Sequence, residues 1–307
     1  MFDIAIIGGG PAGTAAAVYA ARKLLKTVLI TDVFGGQSVV STEIQNWIGT
    51  PAISGEELAK NLKKHVLTYA GDVVEVAEGQ KVTVVTKSDS HFVIKTNAEK
   101  TFEAKTILVA TGGERRKLKV PGAAEFDNKG LTYCASCDGP LFSGQDTVVI
   151  GGGNAGFETA AQLLAYTKSV TLLQRGPEFV ADPSTVKKIL EHPNMRAFVN
   201  AQTTAVLGEK FVTGLSYKDT KTGAEETLNV AGIFIEIGMI PSTSFVADLV
   251  TLDTIKRIVI DPTNQRTNVD GIWAAGDCTN VIYHQNNIAA GDAVRALEDM
   301  YIYLSTH

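Results

Sequence analysis

One pattern constrains this chain more than any other: a short apolar run, a glycine turn and a helix of small residues, present twice. Ile4-Ala5-Ile6-Ile7 reads as a buried strand. It leads into Gly8-Gly9-Gly10-Pro11-Ala12-Gly13, a helix over about residues 14–25, and the strand Val28-Leu29-Ile30. The same grammar returns at Val148-Val149-Ile150, Gly151-Gly152-Gly153-Asn154-Ala155-Gly156, an alanine-rich helix to about Tyr166, and Val170-Thr171-Leu172-Leu173. Each copy is a β-α-β unit with G-x-G-x-x-G spacing. Glycines there permit a tight turn, close approach of backbone to a pyrophosphate, and close packing of helix on strand. The pyrophosphate rests on a helix N-terminus, where unpaired N–H groups and the helix dipole favour an anion. One such turn can be an ordinary strand-to-helix connection. Two in the same context predict two dinucleotide sites, one per domain. The candidate contacts are Gly8, Gly10, Pro11, Ala12 and Gly13 at the first turn, and Gly151, Gly153, Asn154 and Gly156 at the second.

Between the copies lie β-prone runs at residues 82–86, 92–96 and 106–110. The last ends in Thr111-Gly112-Gly113, of which Thr111 and Gly112 are further candidate cofactor contacts. Similar runs follow at residues 214–218 and 233–235. Ile272-Trp273-Ala274-Ala275-Gly276-Asp277 reads as a buried strand with an acid at its end, and a final helix covers about residues 286–304. The alternation predicts an α/β fold. The 307 residues are enough for two domains. A formal net charge of -5 offers no basic field for nucleic acid. No run of roughly eighteen apolar residues is present to span a membrane. Met1-Phe2-Asp3 leads straight into the first strand without a charged start and apolar core, so a cytoplasmic location is expected.

Asp32 falls about twenty residues after the first glycine turn, where a carboxylate accepts from ribose hydroxyls; a plain turn aspartate is the alternative. Asp277, at a strand tip, can hold the polyol chain of a flavin or cap a helix. The chemical centre is Cys134-Ala135-Ser136-Cys137-Asp138. Cysteines at this spacing can close a small disulfide ring, and a helix N-terminus or a flavin lowers a thiol pKa. Asp138 can move a proton during thiol exchange, although Asp138-Gly139-Pro140 is also a turn signal. A zinc site and a pair of inert thiols are the other readings. Zinc wants four ligands, and only Cys278 and five scattered histidines remain to supply them. Cys278 itself reads as a small buried residue, and His284 as a residue that can face a flavin.

These residues resemble those of the low-molecular-weight thioredoxin reductases. The likeness is carried by the Cys134–Asp138 motif ahead of the second glycine turn, by Gly35-Gly36-Gln37, by Asn46-Trp47-Ile48-Gly49 and by Ala275-Gly276-Asp277. It is closer still to the reductase portion of the flavoprotein subunit of alkyl hydroperoxide reductase. Lys129-Gly130-Leu131-Thr132-Tyr133-Cys134, Asp138-Gly139-Pro140-Leu141-Phe142 and Asn200-Ala201-Gln202-Thr203-Thr204 look like that subunit. The resemblance implies two Rossmann-like three-layer domains, one inserted into the other. An FAD domain would span residues 1–114 and 245–307, and a nicotinamide domain carrying the dithiol residues 115–244. Cys137 would be the flavin-proximal thiol, Cys134 the thiol that exchanges with a partner, and Asp138 the proton donor and acceptor. Gly36, Gln37, Asn46, Asp277, His284, Gln285 and Asn286 would contact FAD; at the last three the reductases usually read Arg-Gln-Ala. The family is typically homodimeric, and its inserted domain rotates, with candidate hinges near Gly112-Gly113 and residues 238–241. The peroxide-linked subunit carries an extra thioredoxin-like domain ahead of the FAD turn. This chain opens at that turn, so a separate thioredoxin-like or glutaredoxin-like protein is the expected partner.

The choice of nicotinamide turns on the residues after the strand 170–173. NADPH-dependent thioredoxin reductases place His-Arg-Arg and a further Arg there to hold the 2′-phosphate. Here the stretch reads Gln174-Arg175-Gly176-Pro177-Glu178-Phe179-Val180. Gln174 and Arg175 are the candidate contacts, Gly176 and Val180 stand where arginines belong, and Glu178 adds negative charge. NADH or dual use is favoured over NADPH alone. The rivals are a reductase of this architecture taking electrons from ferredoxin, a diaphorase-like flavin reductase that usually lacks the dithiol, and a non-catalytic dinucleotide-binding sensor.

Overall fold

The computed structural model describes residues 1–41 and 43–306. Strand β1 (Phe2–Gly9) opens the chain and alternates its side chains, with Ile4 and Ile6 in one apolar cluster and Ala5 and Ile7 in another. Helix α1 (Pro11–Arg22) starts earlier than the residue 14 expected from the sequence. Proline's fixed φ and missing N–H suit the first helical position. It also ends sooner, because Leu24 takes a left-handed φ of 58°. Strand β2 (Thr27–Phe34) and helix α2 (Gly55–Ala70) follow. The Ser54 side chain caps α2 by accepting from the Glu57 N–H, and Glu56 and Glu57 complement the positive end of the helix dipole. Then come β3 (Val74–Glu78), β4 (Val82–Lys87), β5 (Phe92–Thr96), β6 (Thr101–Val109) and β7 (Gly113–Arg115).

The middle of the chain holds β8 (Leu131–Thr132), the short helix α3 (Ala135–Asp138), β9 (Asp146–Ile150), α4 (Asn154–Leu163), β10 (Ser169–Leu173), α5 (Pro183–Leu190) and β11 (Met195–Phe198). Strands β12 (Ala201–Gly208), β13 (Val212–Asp219) and β14 (Glu225–Asn229) make an antiparallel sheet, and β15 (Gly232–Ile235) and β16 (Met239–Pro241) complete the segment. The last part contains β17 (Ile272–Ala274) and α6 (Asn286–Thr306).

Two compact units result, Met1–Glu114 with Ile240–His307, and Arg115–Met239. In the first, the sheet order is β3-β2-β1-β6-β5-β4. The first half of β6 pairs with β5, while Ile107, Leu108 and Val109 near its end pair in parallel with Ile272, Trp273 and Ala274 of β17. Helices α1 and α6 share one core, where Ala16, Ala17 and Ala20 meet the small residues Ala289, Ala293 and Ala296. The other sheet face is covered by Val246, Val250, Ile258 and Ile260. The second unit has a parallel sheet in the order β11-β10-β9-β15-β8. Phe157, Ala160 and Leu163 of α4 pack on one face, and Val206 and Leu215 of the antiparallel sheet on the other. The molecule is therefore α/β, with two Rossmann-type domains. The chain passes between units on β7 and β16, which pair as a ribbon. Among the described residues no helix is long and apolar enough to cross a membrane.

Candidate functional site

In the first unit the glycine turn closes on itself in a way only glycine allows. Gly8 has φ +116°, and a Cβ there would overlap the Ala110 carbonyl oxygen. A Cβ on Gly13 would overlap the Gly8 carbonyl oxygen, so the helix lies directly against the strand. A Cβ on Gly10 would meet only the Gly36 Cα, at 3.9 Å, and no side chain caps the first N–H groups of α1. The turn borders a cleft of about 540 Å³, within the range of small-molecule sites. Of the expected FAD contacts, Gly8, Gly10, Pro11, Ala12, Asp32, Gly36, Gln37, Thr111, Gly112, Asp277 and Asn286 line this cleft. The cradle fits a dinucleotide.

Gly13, Asn46, His284 and Gln285 are not among its lining residues. Asn46 and Gln285 bind each other, Nδ2 donating to Oε1 over 3.1 Å. His284 is half-buried one residue before Gln285. Among the lining residues without a signal in the sequence, Lys81 and Ser38 make direct contacts with candidate residues. Lys81 places its Nζ 3.2 Å from Asp32, and Ser38 donates to Asn286 Oδ1 over 2.8 Å. Neither has a local signal, because each acts on a residue brought close only by the fold.

The second turn repeats the first. Gly151 has φ +126° with its missing Cβ pointed at the Glu236 carbonyl, and Gly156 packs on Gly151 in the same close manner. No side chain caps the start of α4, so this turn too is open to an anion. The loop after β10 folds back over it. Val180 N–H donates to the Gly152 carbonyl over 2.9 Å, and Asp182 N–H to Asn154 Oδ1 over 2.8 Å. Gln174 is pinned within the loop: its Oε1 accepts from Gly152 N–H at 3.2 Å and its Nε2 donates to the Glu178 carbonyl at 3.0 Å. Arg175 is exposed. Beside the turn lies an acid not singled out from sequence. Glu236 accepts from the Thr159 hydroxyl at 2.9 Å and pairs with Arg115 at 3.4 Å. Its burial pushes the carboxyl upward, against the pull of Arg115 and Thr159.

The dithiol also belongs to the second unit. Cys134 and Cys137 are joined as a disulfide with their Cα atoms 5.3 Å apart. Cys134 sits at the N-cap of α3, where its Sγ accepts from the Cys137 N–H at 3.2 Å. After reduction that N–H favours a thiolate on Cys134. The Thr132 hydroxyl donates to Asp138 and accepts from the Cys134 N–H at 3.4 Å. Burial raises the Asp138 carboxyl above the usual range, opposed by the Thr132 hydrogen bond. A carboxyl that holds its proton more tightly than an ordinary aspartate thus stands within one turn of both cysteines. Cys278 is different: fully buried, it donates towards the Val109 and Ala275 carbonyls, and burial pushes its thiol to about 11.

Residues 2–293 match the family described as pyridine nucleotide-disulphide oxidoreductase. The chain is 40% identical over 304 residues to the alkyl hydroperoxide reductase F subunit of Escherichia coli, and 38% identical over 303 residues to a Bacillus subtilis protein named NADH dehydrogenase. Each match covers 99% of this chain but 58% of the relative, so the chain spans little more than half their length. Among solved structures, thioredoxin reductase from Streptococcus pyogenes superposes with a TM-score of 0.92 at 32% identity, over 100% of this chain and 99% of that one.

Proposed function

This chain belongs to the pyridine nucleotide-disulphide oxidoreductase family and is an oxidoreductase of the thioredoxin reductase-like kind; on that premise we propose that it moves electrons from a nicotinamide through FAD to the Cys134–Cys137 disulfide, and on to a thioredoxin-like or glutaredoxin-like protein. The observation that carries this reading is the closed disulfide with a protonatable Asp138 beside it, in a chain with two dinucleotide turns.

In this reading the first unit holds FAD and the second holds the nicotinamide. The N–H groups at the start of α1 receive the pyrophosphate. Asp32 receives ribose hydroxyls while Lys81 offsets its charge, and Asp277 receives the polyol chain. Bound there, FAD would supply two-electron transfer between a nicotinamide hydride and a disulfide. Following the family resemblance, Cys137 takes those electrons as the ring opens. The Cys134 thiolate attacks the partner disulfide, and one partner sulfur leaves, taking a proton from Asp138. The Cys137 thiolate then attacks Cys134 Sγ, expels the second partner sulfur and recloses the ring. The net change converts NAD(P)H, a proton and a disulfide into NAD(P)⁺ and a dithiol.

NADH or dual use is favoured. Glu178 and the pinned Gln174 stand where a 2′-phosphate would need cations, and one relative is named for NADH. A homodimer is the expected assembly. The test is anaerobic titration with NADH, NADPH and reduced ferredoxin in turn, counting free thiols as the flavin bleaches. NADH should bleach the flavin and open the disulfide. Bleaching with the disulfide left intact would sink the relay.

A further inference from the structure

Glu236 is a buried acid to which the reaction above gives no task. It follows β15 directly, and its N–H donates to the Ile150 carbonyl at the end of β9 over 2.8 Å. Its own carbonyl lies where a Cβ on Gly151 would fall. The residue therefore abuts the second glycine turn, at the carboxyl ends of the parallel strands. In such sheets the ligand lies across the crevice outside those ends, where strand order reverses. The adenosine half of a dinucleotide is marked by Gln174 at the end of β10, on one side of β9. With the pyrophosphate on the turn, the other half must cross to the opposite side of β9. That side is β15, and Glu236 ends it.

The carboxylate is held for recognition rather than packing. Its side chain is only 7% exposed. A buried acid is costly, and an apolar residue would fill the place with less penalty. Thr159 fixes one oxygen and Arg115 the other. A carboxylate offers about four acceptor positions, so these two partners leave others to spare. The group that sets nicotinamide apart from the rest of the dinucleotide is its carboxamide, an N–H₂ donor beside a carbonyl.

We propose that Glu236, oriented by Thr159 and Arg115, is the acceptor for the carboxamide N–H₂ of the nicotinamide. This rests on the reading of the second unit as the nicotinamide site. The test measures binding to the flavin-loaded protein by calorimetry with three probes: ADP-ribose, NAD⁺, and the 3-acetylpyridine analogue of NAD⁺, which keeps the carbonyl and lacks the N–H₂. Wild-type protein should bind NAD⁺ about tenfold or more tighter than the analogue, the scale of a hydrogen bond to a charged group. Glu236→Ala should erase that preference and leave ADP-ribose affinity unchanged. Glu236→Gln keeps a neutral acceptor and the packing, and should retain a preference of a few-fold. An undiminished preference in both variants overturns the assignment, as does equal weakening of ADP-ribose and NAD⁺. Failure of wild-type protein to bind either ADP-ribose or NAD⁺ overturns the nicotinamide-site reading along with it.

Discussion

Cys134 and Cys137 are equal partners in one bond, yet the proposed relay predicts different phenotypes for them. Cys134→Ser should keep flavin reduction by the nicotinamide and lose partner turnover. Cys137→Ser should lose turnover too, and with it any long-wavelength thiolate-to-flavin absorption; stopped-flow spectra separate the two. Full partner reduction by either variant would rule the relay out. Asp138 carries its own prediction. A carboxyl raised by burial keeps its proton to higher pH than an ordinary aspartate. Protonation of the leaving sulfur is therefore supported on the acid side and fails as pH rises through the folded-state value. Asp138→Asn should lower partner turnover by roughly 10²–10⁴-fold and remove that limb of the profile, with anaerobic flavin reduction unchanged. A variant profile that keeps the wild-type limb would clear Asp138 of the role. The dithiol motif could be read from sequence because its parts are contiguous. Glu236 with Arg115 and Thr159, and Lys81 with Asp32, could not, because folding assembles them from distant stretches.

At the scale of the element, the proposed choice of nicotinamide rests on the loop after β10. Val180 is 76% exposed, with its Cγ2 3.8 Å from where a Gly153 Cβ would lie, and Gly176 adjoins the Gln174 amide. Val180 lies beside the turn and is open to a long side chain, whereas a Cβ on Gly176 would stand 3.2 Å from Gln174 Nε2, so that amide must yield by a few tenths of an ångström to admit an arginine. Gly176→Arg with Val180→Arg should shift kcat/KM towards NADPH, each new charge-assisted contact being worth about 1.5–3 kcal/mol. Steady-state kinetics with both cofactors reads the shift, and a hundredfold NADPH preference in the wild type would show the loop was misread. The two strand–turn–helix units were legible because apolar runs and glycine spacing reinforce each other. Helix α2 was not picked out, although Ser54 and Glu57 spell its cap, because its buried residues are few: Gly55, Leu58, Val66 and Ala70. Strands β12 to β14 were only partly visible, since β14 has no fully buried residue to mark its period.

At the scale of the whole molecule, the second unit is an insertion with its own two apolar clusters. Its ends lie together, since the Arg116 N–H donates to the Gly238 carbonyl over 3.0 Å. A segment closed in this way is a candidate autonomous domain. Expressed alone, residues 115–239 should fold, hold the Cys134–Cys137 disulfide and bind NAD⁺ with the affinity of the full chain, without flavin. Circular dichroism and calorimetry check this, and a fragment that stays unfolded while the full chain binds would count against independent folding. The ribbon also sets an order of events on the ribosome. Strand β17 and helix α6, which complete the first unit, emerge only after the inserted unit has been made. At about 5–20 residues per second that delay is on the order of ten seconds. Throughout it, the alanine face of α1 and the end of β6 wait without their cover, while the unit made after them already has all of its own strands.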